Sequence, residues 1–205
     1  MSRIAFVVCL FALFSMALLL AATNSSWAAT AAPPDIQAIR VDEPPAIDGL
    51  LEDPCWEQAA RAEGFFCLEV EGNRPSPEVT VALLCYDETA LYVAVICDDR
   101  TPGDIAANET QRGGDVDNDD SIRLRLDPWH THGESDCYEF FVNACGTQAE
   151  EIPGGSASKI EWRGDWEAAA TRTPTGWQAE MAIPFSILRY SADQEEFGIA
   201  VTRRT

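Results

Sequence analysis

The densest concentration of chemically capable residues is Gly113-Gly114-Asp115-Val116-Asp117-Asn118-Asp119-Asp120. Carboxylates at alternating positions beside flexible glycines suit a hard cation that takes six to eight oxygen ligands, so Asp115, Asp117, Asp119 and Asp120 are candidate calcium ligands. The loop is not an EF-hand, because its sixth position is Asp120 rather than Gly and its twelfth is Leu126 rather than Glu. The alternative is a solvated acidic loop. His130 and His132 form an H-x-H pair, but the chain has no other histidine and a transition-metal site needs a third ligand, so this reads as a polar turn. No G-x-S-x-G is present, and no Ser or Cys has a recognisable base nearby. With 34 acidic residues, carboxylate pairs for glycoside hydrolysis can be drawn in many ways and discriminate nothing. Trp129 follows a strand-ending Asp127-Pro128 and is the candidate exposed aromatic, a platform for the C–H face of a sugar.

The balance of 34 acidic against 14 basic residues gives a net charge of −20. Lys159 is the single lysine and the arginines are scattered. Nucleic acid is therefore excluded as a partner, and an anionic membrane would be repelled. Neutral ligands such as polysaccharides or oligosaccharides, cations and basic partners remain. Ile4 to Ala22 is apolar apart from Ser15, with Arg3 in front and small residues behind, so residues 1–29 read as a signal peptide. An uncleaved anchor is the alternative, and both send the rest of the chain across a membrane. Six cysteines follow the signal: Cys55, Cys67, Cys85, Cys97, Cys137 and Cys145. They contain no C-x-x-C pair and fit no zinc ribbon; one or two structural disulfides in an oxidising compartment are expected, with no thiol chemistry, and buried free cysteines as small core residues are the alternative.

The elements that must position these groups are mostly strands. Residues 30–45 read as a linker rich in Ala and Pro. Val79–Tyr86 and Leu91–Cys97 are apolar runs joined by Asp87-Glu88-Thr89-Ala90, a hairpin buried on both faces. Ser121–Asp127 alternates, with Ile122, Leu124 and Leu126 inward and Ser121, Arg123, Arg125 and Asp127 outward. Tyr138–Ala144, Glu167–Thr173, Trp177–Ile183 and Phe197–Thr202 complete the set, and Asp53–Arg61 alone reads as helical. The class is all-β, an antiparallel β-sandwich over residues 46–205 with one short helix near its start.

Six segments in order resemble the family 9 carbohydrate-binding modules, in the form found at the N-terminus of exported bacterial proteins that continue into an outer-membrane barrel. They are Ile47–Trp56, Tyr86–Ala94, Asp119–Pro128, Tyr138–Asn143, Trp166–Ala169 and Gly176–Phe185. The resemblance implies a jelly-roll-like sandwich that binds sugars, often with calcium, and accompanies polysaccharide-degrading enzymes without being one. The family's sugar clamp maps onto Asp117, Arg123, Phe141 and Asn143, of which Asn143 alone keeps the family residue. The expected sugar site is thus Trp129, Asn143, Asp117 and Arg123. Haem, which related sandwiches can hold, is not expected, because Met181 and the adjoining histidines are poor axial ligands. The segment matching Phe197–Arg204 precedes the family's last strands, so an open sheet edge is expected, either covered by a protein partner or marking a shortened relative of a longer protein. The alternative to sugar binding is an interaction module with a decayed sugar site.

Overall fold

The computed structural model describes residues 35–67, 74–131, 133, 136–152, 163–191 and 193–205, and the backbone of Ala5–Val8. Two sheets face each other, their strands bounded by the hydrophobic runs. One has the order β2 (Asp35–Gln37), β1 (Ala5–Val8), β12 (Glu196–Arg204), β7 (Ser121–Asp127), β8 (Tyr138–Asn143), β9 (Gln148–Glu151). The other has the order β10 (Glu167–Thr173), β11 (Gly176–Pro184), β6 (Ala90–Asp98), β5 (Thr80–Tyr86), β3 (Ile39–Arg40), with β4 (Ala60–Ala62) also paired to β5. Among the described residues no helix is long and apolar enough to cross a membrane.

The second sheet is covered on both faces, which is why β5, β6 and β11 read as nearly continuous apolar runs. On β5, Ala82, Leu84 and Tyr86 point into the sandwich with Phe140, Leu124 and Trp177. Val81, Leu83 and Cys85 point the other way, under Cys55 and Trp56 of the helix α1 (Pro54–Gln58). The β5–β6 hairpin turns on Asp87, whose carboxylate accepts from the Thr89 and Ala90 amides and from the Tyr92 hydroxyl.

One polar group is fixed within that outer layer. Glu180 of β11 is fully buried and accepts hydrogen bonds from Trp56 Nε1 at 2.8 Å, Gly49 N at 2.8 Å and Asp48 N at 3.2 Å. Burial pushes its carboxyl above the usual range, and the three hydrogen bonds only partly offset that. Gly49 carries φ +84, and a Cβ there would come within 2.8 Å of Thr171 Oγ1 and 3.1 Å of the Ala170 backbone. Glycine is thus required for the loop to reach Glu180.

Several local expectations change. The helix stops at Gln58, because Ala59 is already extended (φ −57, ψ 147), and Ala60–Ala62 pairs antiparallel with β5. Part of the segment read as linker, Asp35–Arg40, belongs to the sheets, since Ile36 and Ala38 find buried places. Ser121 and Asp127, expected to face outward, are buried. Beside β12, the edge expected to be open pairs in parallel with β1 along Glu196–Ile199, although β1 lies within the stretch read as a signal peptide.

Replacing Glu180 with Ala strands the buried Gly49 amide and Trp56 indole donors and frees the exposed Asp48 amide to water. The expected cost is about 3 kcal/mol or more of unfolding free energy, read as a lower urea midpoint.

Candidate functional site

Pairing fixes where the candidate residues fall. Ser121 lies opposite Asn143, and Leu126 opposite Tyr138, so the start of β7 and the end of β8 share one end of the sandwich. Trp129 follows the other end of β7, about 20 Å away for a seven-residue strand. The expected constellation of Trp129 with Asn143 is therefore not one site.

At the Asn143 end, the segment Ala106–Glu109 is tied down by two carboxylates. Asp119 accepts from the backbone amides of Asn108 and Glu109, each at 2.9 Å, and from Asn143 Nδ2 at 2.8 Å. Asp120 accepts from Ala106 N at 2.7 Å. Burial works to raise the Asp119 carboxyl, but these donors outweigh it and hold the group below the usual carboxylate range. Asn143 has no exposed surface. Its Nδ2 donates to Asp119 and Glu109 O, and its Oδ1 accepts from Thr147 N and Cys145 N. With both donors and both lone pairs used inside the protein, Asn143 is a brace for the turn after β8 rather than a sugar ligand.

The four loop carboxylates do not converge either. Asp115 is exposed, Asp117 is taken up by arginines, and Asp119 and Asp120 serve backbone amides. Among the described residues no group of three or more His, Cys, Asp or Glu is placed to hold a metal ion. The crowded charges are offset by N–H donors and guanidinium groups instead, so these residues do not fit calcium. His130 lies 3.9 Å from Glu196, while His132 is outside the described residues. Met181 is a buried core residue.

On the outward face of β7, β8 and β12 a second group assembles. Arg123 donates to Asp117 at 2.8 Å, and Arg204 reaches the same oxygen at 2.9 Å. The Arg123 guanidinium lies 4.9 Å from the centroid of the Phe141 ring, and Arg125 donates to Glu139 at 3.0 Å. Glu139 and Arg204 were not picked out from sequence, although the alternation of Glu139 and Phe141 with Phe140 and Val142 carries the signal. This face offers partly exposed donors and acceptors of the kind that bind hydroxyl groups, already engaged with one another.

The other end presents Trp129. Asp127 Oδ1 accepts from Trp129 N at 3.1 Å, Asp127 O accepts from His130 N, and His130 takes a left-handed φ of 51. That tight turn leaves Trp129 48% exposed, whereas Trp56, Trp166 and Trp177 are all buried.

Residues 47–204 match the family model described as Carbohydrate family 9 binding domain-like. The chain belongs to this family. A family 9 carbohydrate-binding module from Caldicellulosiruptor kristjanssonii, solved in complex with glucose, is similar at 18% identity and TM-score 0.57, covering 82% of this chain and 78% of that one. A proposed carbohydrate-binding protein from Bacteroides uniformis ATCC 8492 is similar at 10% identity and TM-score 0.59, covering 81% of each chain. At these identities the common property is the β-sandwich fold. No curated protein matches the chain. Within the family 9 domain, the clamp positions expected from the resemblance are thus split between a buried brace (Asn143) and a self-paired face (Asp117, Arg123 and Phe141).

Because Asp119 binds its proton less tightly when folded, its contribution to stability is complete above the ordinary carboxylate pKa of about 4 and is lost as pH falls below it. Asp119→Asn should cost about 1–3 kcal/mol at neutral pH and flatten that acid limb, as measured by urea unfolding between pH 2 and 7.

Proposed function

We propose that this domain is an exported, non-catalytic carbohydrate-binding module that serves polysaccharide binding and carbohydrate catabolism, with hydrolysis carried out by an associated protein or domain. The observation that carries the reading is Trp129, the one exposed indole among the described residues, held on a hydrogen-bonded turn within a family 9 sandwich. A flat, exposed apolar ring is suited to stacking on the C–H face of a pyranose. The solved relative from Caldicellulosiruptor kristjanssonii, which carries glucose, supports a sugar as ligand. The apolar stretch Ile4–Ala22 behind Arg3 supports export to the periplasm, the outer membrane or the medium. The absence of an activated Ser or Cys nucleophile in the sequence motifs supports a binding role.

A second reading is favoured by the self-paired face. Arg123 and Arg204 share Asp117, and Arg123 covers Phe141, so the positions of the family clamp are spent internally. In that reading the sugar site has decayed and the domain is a protein-interaction module. A partner would add beside Ala200–Arg204, which has no strand on that side among the described residues.

Affinity electrophoresis of the full chain in gels containing different soluble polysaccharides, with calcium and with chelator, separates the two. The expected result is retardation in at least one glycan, unchanged by chelator. Trp129→Ala should weaken it by about tenfold or more while leaving the circular dichroism spectrum intact, and Arg123→Ala should weaken it less. A folded chain retarded by no glycan would favour the interaction module.

A further inference from the structure

Five of the six cysteines that follow the apolar N-terminal stretch lie on or next to regular elements, and their positions leave few ways to pair them. Cys97 points into the sandwich core from β6, whereas Cys85 points out of the neighbouring strand β5 on the opposite face of the same sheet. Cys137 and Cys145 flank the two ends of β8, about 20 Å apart along the strand. Cys137 donates to Gly133 O, and Cys145 lies against Asn143, Glu109 and Thr147. Cys67 belongs to the loop after β4, where its amide donates to Arg74 O.

Cys55 and Cys85 differ from all of these. Cys55 sits on α1, Cys85 sits on β5, and both are buried in the same apolar layer, with Trp56, Val81, Leu83 and Tyr92 around them. Both are free thiols in this structure, and they lie close enough within that layer for each to alter the other's acidity. The helix carrying Cys55 is a little over one turn long and has no side-chain cap at its N-terminus, so its docking rests on buried Cys55 and Trp56 and on the Trp56–Glu180 bond rather than on helix propensity.

We propose that Cys55 and Cys85 form a disulfide that staples α1 to the outer face of β5, and that the other four cysteines take no part in it. The chemistry is thiol–disulfide exchange with a disulfide oxidant, such as oxidised glutathione or an exported thiol–disulfide oxidoreductase. One protein thiolate attacks the oxidant's disulfide, giving a mixed disulfide and releasing one thiol. The second thiolate then attacks the protein sulfur and releases the other thiol. Two electrons and the two thiol protons leave the protein, and the oxidant's S–S bond ends as two thiols. In the folded chain, burial pushes the Cys85 thiol up to about 12 and also raises Cys55. Thiolate is therefore scarce once the layer has closed, and the bond forms while α1 is still docking. It closes a loop of about 30 residues, long enough for the cross-link to restrict the unfolded chain appreciably. The proposal is independent of any ligand.

The test is a disulfide map of the full chain refolded in a reduced and oxidised glutathione buffer, alkylated and cut after glutamate. Residues 53–57 contain Cys55 alone, and residues 79–88 contain Cys85 alone. The expected product is these two peptides joined, lighter than their sum by two hydrogens and separated by reductant. Recovery of both peptides alkylated from folded protein, or of either joined to a different cysteine, would overturn the proposal. As a second readout, dithiothreitol should lower the melting midpoint by about 5–15 °C. That shift should vanish in Cys55→Ala and persist in Cys145→Ala. A shift retained in Cys55→Ala would count against the pair, and the map of the unaltered chain decides the matter should that variant fail to fold.

Discussion

The outer face of the β10–β11–β6–β5–β3 sheet depends on a buried carboxylate. Glu180 stands in the middle of a strand whose neighbours are Ala179 and Met181, and it would be untenable there without donors. The Trp56 indole and the amides of Asp48 and Gly49 supply them, and in doing so they lay the whole segment from Ile47 to Gln58 over the sheet. Gln178 adds a return bond to Gly49 O. The apolar layer of Val81, Leu83, Cys85 and Tyr92 is then dry, and the sheet becomes an interior element rather than a half-solvated one.

Much of the fold was legible because it is written in local pattern. β7 and β10 have the boundaries that alternation and turn residues suggest, and the β5–β6 hairpin sits where Asp87-Glu88-Thr89 interrupts two apolar runs. The short strands β3, β4 and β9 were not legible, since two to four residues carry no period and exist only because a longer strand offers them an edge. The short reach of α1 was hidden for the same reason: Ala60–Ala62 has helix-compatible residues, but β5 claims their backbone.

The candidate site was legible by residue type and not by role. An acidic run such as Asp115–Asp120 gives no indication that a preceding loop will bring its amides to Asp119 and Asp120. Asn143 matches its family counterpart in identity, yet its neighbours come from Glu109, Asp119 and Thr147, so its use is decided by tertiary contacts. Trp129 was legible because an Asp-Pro step that ends a strand has to turn outward. The face around Arg123 lies between these cases: alternation places it correctly, but only the assembled sheet shows that Asp117 and Glu139 neutralise it and that Arg204 shares Asp117.

The sandwich is closed at its two ends by different means. Near the start of β7, Arg203 crosses from one sheet to the other, meeting Asp99 at 3.1 Å, Glu78 at 3.2 Å and the Asp98 carbonyl at 2.6 Å. Near Trp129 the closure is aromatic, with Tyr190 stacked edge-on against Phe197 at 5.2 Å and Phe185 beside both. Apolar association weakens on cooling, whereas a buried, hydrogen-bonded ion cluster does not draw on it. The domain therefore has a warm end and a cold-tolerant end, and low temperature loosens it first at the mouth where the indole is displayed.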